Sequence, residues 1–393
     1  TLYYPAKNYA LTFEGGFNTG TAVDRDRTVA VTILVSNNFE IATKDDWKEF
    51  CRLVNSGKTK LDAKMTRDVD LGDEIVMVGG RKNYSGIFDG QGHTLTLNWN
   101  AGSGHWKSPF YTVENATIEN LRVKGYIKSE GKGHTGLIQN AYGTVTVSGC
   151  VSDVDITCGY NVDECSAAGM IQWVGSDVKV NFNDCLVKGS INATTEKGTK
   201  GMAGFVYDQK GKCTLTNCLY IGTNNATTGS NTFADNATLN NCHYLKPCGN
   251  AQGEQVTEKQ LKNGYVSELL QKTRKDACHW AQVLGDMPSL YCEADKMKPN
   301  YVYYDTANYR WACENFVLTD GTLLPVGLNF TAATATYERD LSAGKATVCL
   351  PYELPVRGFK AYTLSTVQGT PSTVRFKRVT DKLEAYKPYL LTA

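Results

Sequence analysis

Gly136-Leu137-Ile138, Gly169-Met170-Ile171 and Gly204-Phe205-Val206 open three stretches that close on Val147 with Gly149-Cys150, Phe182 with Asp184-Cys185 and Leu215 with Asn217-Cys218. Phe110 and Phe233-Ala234 open two more, closed by Ile118 with Asn120-Leu121 and by Leu239 with Asn241-Cys242. The closing positions are 29, 35, 33 and 24 residues apart, a spacing that suits a stack of repeating units joined by loops of unequal length. Beyond each closing element the chain alternates, with Val123 and Ile127, Val154 and Ile156, and Val187 and Ile191 placed to face one side of a strand. No such unit buries its apolar face alone, so the pattern predicts rung-upon-rung stacking of parallel strands. The expected fold is therefore mostly β: a right-handed parallel β-helix with capping helices, followed by a small β-sandwich.

Two features of the repeat carry structural meaning. Asn120, Asn217, Asn241 and Asp184 fall where each unit must bend, and these residue types tolerate left-handed backbone, so a polar ladder is expected there. Cys150, Cys185, Cys218 and Cys242 then form an inward row of small hydrophobes. Metal binding and disulfides between neighbouring rungs are the alternatives. A row spaced by the strand separation of about 4.8 Å spreads thiolates along an axis rather than converging them on an ion. The chain has thirteen cysteines, an odd number that excludes a framework made of internal disulfides alone.

Outward from the repeat, residues 43–56 read as an amphipathic helix. Thr43 and Asp46 form its capping box, Trp47, Phe50, Cys51 and Val54 its apolar face, and it is placed to cover the N-terminal end of the stack. A second helix is expected over about 257–272, with Thr257 and Gln260 as its box. Together with the string Trp280 to Leu290 it is expected to cover the other end, because an open strand edge invites aggregation. Residues 1–42 read as an N-terminal β-element of uncertain attachment, 43–299 as the β-helix with its caps, and 300–393 as the sandwich. Short alternating runs such as Tyr301 to Tyr304, Phe359 to Leu364 and Thr373 to Phe376 support the last of these.

Charge excludes one class of partner. Forty-one basic residues face 40 acidic ones without a large basic cluster, so nucleic acid is not expected. No apolar run approaches bilayer length, and no signal peptide precedes Thr1, which leaves an intracellular chain or a processed product as the expectations. No H-E-x-x-H, P-loop or G-x-S-x-G string is present. Catalysis on a β-helix would need converging carboxylates or a base beside an acid. Asp153 and Asp155 share one face of a strand, and His134, Asp163 and Glu164 fall in neighbouring loops, but such sets also arise on any solvated surface. His279 beside Cys278 reads as packing rather than a Cys–His dyad. Binding is easier to derive, since a rigid ladder can present rings to sugars. Trp99, Trp106, Tyr142, Tyr160 and Trp173 are the candidate ligand-binding residues, with no catalytic, cofactor or metal residues assigned and no cofactor expected.

The string Phe88-Asp89-Gly90-Gln91-Gly92-His93-Thr94-Leu95, the Gly-Leu-Ile and Asn-Cys elements, the ending from Trp280 to Leu290, and the runs Phe330-Thr331-Ala332, Tyr337-Glu338-Arg339 and Leu350-Pro351-Tyr352 resemble those of Bacteroidetes surface and secreted proteins with GLUG-type repeats. The resemblance covers about 43–393. It implies export to the cell surface or periplasm, an adhesin-like role, and a scaffold rather than catalytic place for His93. Related repeats also accompany peptidase domains in longer proteins. Asp305-Thr306-Ala307 is similar to the O-glycosylation acceptor of these bacteria. The implied protein is extracellular or on the outer-membrane surface, peripheral or lipid-anchored, monomeric, and directed at a glycan or a host surface protein. A polysaccharide lyase or hydrolase, and a passive stalk, are the competing expectations.

Overall fold

The computed structural model describes residues 38–227, 229–339, 344–369 and 373–392. Within them the chain passes in turn through three parallel sheets. Thr117–Glu119 lies in the first sheet, Arg122–Ser129 in the second and Ile138–Tyr142 in the third. The next circuit repeats the order with Thr144–Ser148, Val151–Cys158 and Ile171–Val174. The first sheet has eight strands in this way, the second nine and the third four. This is a mostly β protein with long parallel sheets, a pattern consistent with a β-helix or solenoid-like fold.

Register explains why the repeat is spaced as it is. Phe88, Ile118, Val147, Phe182, Leu215 and Leu239 are partners across successive strands of the first sheet. Trp99, Ile127, Ile156 and Ile191 are partners in the second, and Phe110, Ile138, Ile171 and Val206 in the third. All of these but the half-buried Leu239 are buried. Between the first two sheets the backbone is left-handed at Asn120, Gly149, Asp184, Asn217 and Asn241, with φ from 52° to 60°. The short polar side chains there bond locally, as Asn241 does by donating Nδ2 to Asn217 Oδ1 at 2.8 Å.

Helix α1 (Lys44–Asn55) has the capping box at Thr43 and Asp46. Its Trp47 ring stands edge-on to Phe88 and Phe110, at 5.8 and 5.9 Å between centroids, so it closes the first rungs with aromatic contact. Where one helix was expected over 257–272 there are two, α2 (Glu258–Lys262) and α3 (Tyr265–Gln271). The break is Gly264, whose φ is 92° and where a Cβ would stand 2.1 Å from Leu328 Cδ2. Backbone of that hand and closeness suits glycine and ends the first helix. These helices also lie elsewhere than expected. Leu261, Val266 and Leu270, with Trp280 and Leu290, pack on Val151, Leu186 and Leu219, the outward rank of the second sheet. They cover its flank instead of the end of the stack.

The division between compact units falls later than residue 300. One unit comprises residues up to 316 with 324–334, the other 317–323 with 335–393. The reason is pairing: Tyr301–Asp305 runs antiparallel to Trp280–Val283, with Gln282 opposite Val302, so it continues the first unit's own sheet. The second unit has a four-stranded antiparallel sheet ordered Lys345–Val348, Tyr389–Thr392, Lys360–Gln368 and Thr373–Val379, and a ribbon of Leu354–Pro355 with Lys382–Leu383. Val348, Leu350, Ala361, Leu383 and Tyr389 form its small core. The N-terminal element expected over 1–42 lies outside the described residues up to 37, and Phe39–Ile41 is the outermost strand of the first sheet.

Candidate functional site

The third sheet carries a surface unlike the other two. In its strands Ile171–Val174 and Val206–Gln209 two adjacent residues are half-buried, while at the same positions of Phe110–Glu114 and Ile138–Tyr142 only Tyr111 and Asn140 are, Thr112 and Gln139 being buried. One rank is Tyr111, Gln139, Gln172 and Tyr207, and the next is Thr112, Asn140, Trp173 and Asp208. Gln139 Nε2 donates to Gln172 Oε1 at 3.1 Å, and Asn140 Nδ2 donates to Tyr111 O at 3.4 Å. Buried Gln139 Oε1 has no partner. Tyr142 follows at the strand end, its ring 5.2 Å from that of Trp173. Tyr207 donates its hydroxyl to Glu164. Burial, then that bond, pushes the phenol's pKa up.

The arrangement sets amides, the Asp208 carboxylate and rings on neighbouring strands at the strand spacing of about 4.8 Å. Amides both donate and accept, while rings offer apolar area with a polar edge. Together they suit hydroxyl-rich ligands. Tyr142 is exposed and Trp173 half-buried.

Three of the other expected binding residues divide differently. Trp99 is a correction: it is fully buried and donates Nε1 to Glu74 O at 3.0 Å, because it is in phase with buried Leu95 and Leu97 along Thr94–Asn100. Trp106 is exposed, beside His105 at 5.1 Å between ring centroids. Its indole lies over Gly133, where a Cβ would come within 2.3 Å of Cδ1. Tyr160 is half-buried, 5.6 Å from His105, with Lys132 Nζ 5.1 Å from its ring centre. Trp106 and Tyr160 thus share a cluster around His105 in the loops before the third sheet, separate from the pair Tyr142 and Trp173. A disulfide, Cys158–Cys165, closes the loop that bears Tyr160 and Glu164.

The catalytic candidates do not assemble. Asp153 pairs with Lys188 at 3.0 Å, and Asp155 accepts from the Ser190 amide and hydroxyl at 2.8 and 2.7 Å. His93 Nδ1 lies 3.3 Å from Asp68 in a turn. Asp163 is exposed and Glu164 is bound to Tyr207. Cys278 accepts from Tyr304 N at 3.2 Å, and burial pushes its thiol up to about 12. His279 faces Asp184 at 3.7 Å, so Cys278 and His279 have separate partners. Asp184 itself is fully buried and accepts from Trp280 Nε1 at 3.1 Å and Arg274 Nη1 at 2.9 Å.

His134 is also fully buried, with Nδ1 accepting from Lys107 N at 3.3 Å. Burial pushes its pKa down from the ordinary imidazole value of about 6.5 to about 4. The unfolded imidazole takes up its proton first as pH falls, so the stability this site contributes is complete above about pH 6.5 and is lost toward pH 4. His134→Asn keeps an acceptor for Lys107 without a titrating ring. Denaturant unfolding at pH 7.5 and 4.5 should show the variant losing about 2–3 kcal/mol less on acidification; equal losses would contradict a buried neutral ring.

The cysteine row is buried and free of disulfides. Cys150 donates to Ile118 O, Cys185 to Val147 O and Cys242 to Leu215 O, at 3.3 to 3.5 Å. These three thiols make the same contact one rung back, Cys218 donates to Thr216 O in its own rung at 3.4 Å, and burial pushes the thiols of Cys150 and Cys218 up. Among the described residues no group of three or more His, Cys, Asp or Glu is gathered as a metal site.

Fold and surface together define a mostly β protein with long parallel sheets and a polar-aromatic outer face. No family model matches the chain, and no curated protein matches it. Among solved structures it is similar to a Bacteroides ovatus chain that carries the provisional description of an immunoglobulin A1 protease. The TM-score is 0.45 and the identity 13%, over 64% of this chain and 92% of that one. A likeness of that degree carries no conclusion about activity.

Proposed function

We propose that the protein is a non-enzymatic binding protein whose third-sheet face takes a neutral glycan. The observation that carries this reading is the Tyr142–Trp173 ring pair beside the half-buried Gln172, Asn140 and Asp208. The finer architecture belongs to the same reading: a right-handed parallel β-helix, the sense that crossovers between parallel strands nearly always take, with the second unit as a small β-sandwich. The likeness to GLUG-type repeat proteins supports placing it outside the cell or on the outer-membrane surface, peripheral or lipid-anchored, as a monomeric adhesin-like protein that meets a glycan or a host surface protein.

The test is a glycan array with the whole chain, paired with release of reducing sugar from every glycan bound. Trp173→Ala with Tyr142→Ala should weaken binding at least about tenfold, equivalent to about 1.4 kcal/mol, while Trp106→Ala leaves it within a factor of about two. Binding indifferent to Trp173 and Tyr142 would sink the proposal.

A glycan-cleaving reading has one observation in its favour. Asp89 and Glu119 are partners across a rung of the first sheet, and burial, then the Asp89 charge, raises the Glu119 carboxyl, as a general acid requires. Sugar release abolished by Glu119→Gln would select it.

A further inference from the structure

The second unit ends its four-stranded sheet in a hairpin that little else covers. Thr373–Val379 is the outermost strand, paired only with Lys360–Gln368, so its other edge has no strand beside it among the described residues. Leu364 is opposite Phe376 and Val367 opposite Val374, with an irregularity between Leu364 and Thr366. The extra residue there returns Val367 to the face of Leu364. All four side chains are exposed, from 48% to 58%. They make an apolar strip along a ribbon, where apolar surface invites a partner.

The same edge strand is cationic. Arg375, Lys377 and Arg378 are all exposed. Among the described residues the ion pairs of this unit are Arg339 with Asp320, Lys382 with Glu353 and Lys387 with Glu384, and none of them involves these three. We propose that this hairpin is a docking arm that receives an acidic, extended polypeptide segment as an added strand. Open peptide groups along Thr373–Val379 would supply main-chain bonds, the apolar strip would hold alternate side chains, and the three cations would select acidic partners.

Competing occupants fit less well. Two copies paired edge to edge would crowd the Arg375, Lys377 and Arg378 of both strands together, and like charges across strands are destabilising. Insertion into a bilayer would carry the unpaired peptide groups into hydrocarbon, where nothing meets them. The inference is independent of the glycan reading, which rests on the other unit.

The experiment uses the full chain and a fluorescein-labelled peptide that alternates Glu with Val. Fluorescence anisotropy should show saturable binding, weakened at least about tenfold (about 1.4 kcal/mol) by R375E/K377E/R378E and likewise by F376S. A peptide methylated on alternate backbone nitrogens should fail to bind. Equal binding of the methylated peptide would overturn strand addition, leaving charge alone. Absence of binding would overturn it too, whether phosphatidylserine vesicles bind instead or the cations serve only to keep the edge from self-pairing. A concentration-dependent dimer abolished by F376S would replace the acidic segment with a second copy. Because every substituted residue is exposed, unchanged circular dichroism is the control for folding.

Discussion

Truncation of Phe182 to alanine is expected to lower the stability of the first unit by about 3–5 kcal/mol. Phe182 is fully buried, a rung partner of Val147 on one side and Leu215 on the other. Its ring meets Phe205 edge-on at 5.8 Å, and Phe205 lies 5.1 Å from Phe233. Removing the ring leaves a void between rungs whose main chains are fixed by their ladder, so collapse around it is restricted. Phe182→Leu keeps most of the volume and should cost less than about 1.5 kcal/mol. The measurement is urea unfolding of both variants. A loss below about 1 kcal/mol for the alanine variant would mean that the rungs do not support one another as the register requires.

Replacement of Asp184 by alanine is expected to cost about 3–5 kcal/mol and to do so in a recognisable place. The carboxylate is fully buried, and its burial, which raises its pKa, is opposed first by His279 and then by Arg274. Without it the buried Trp280 Nε1 has no acceptor, a cost of about 1–3 kcal/mol by itself, and the Arg274 guanidinium loses the buried one of its two counter-charges. Arg274→Ala should cost less, since Arg274 retains exposure and Asp276 is its other partner, with Nε 3.2 Å from Asp276 Oδ1. Asp184 is where the segment after α3 is fastened to the corner ladder, alongside the bond from Asn241 Nδ2 to Leu269 O at 2.8 Å. Limited trypsinolysis should therefore open at Lys272, Arg274 and Lys275 in the Asp184→Ala chain before the parallel sheets unfold. Cleavage elsewhere first would refute this fastening.

Much of the architecture was legible because rung stacking imposes position-by-position identity. Gly149, Asp184, Asn217 and Asn241 recur at the left-handed corner between the first two sheets, and each lies directly before a buried cysteine. The outward rank of Val151, Leu186 and Leu219 was missed, although the sequence carries its signal. An apolar residue directly after Cys150, Cys185 and Cys218 must face the opposite side of the strand, and three in register require a cover. Trp99 was misplaced for the same kind of reason, since its phase with Leu95 and Leu97 fixes it inside.

Of the candidate surface, Tyr142 and Trp173 were found as rings. Gln139, Gln172, Asn140 and Asp208 were not, because polar residues inside a repeat read as ordinary solvated positions until register ranks them. The Cys158–Cys165 bond ties the end of the strand Val151–Cys158 to the loop after it, outside the repeated positions, and nothing in the period points to it.

The aromatic plug of α1 and the amide of Gln252, which accepts from Phe233 N and Ala234 N at 2.8 and 3.0 Å, finish the two ends without reference to how many circuits lie between them. A duplicated segment the size of one circuit would meet, above and below, the same surfaces its parent meets. Reach is thus an adjustable quantity of this architecture, open to change by whole-unit gain or loss while both terminations stay as they are.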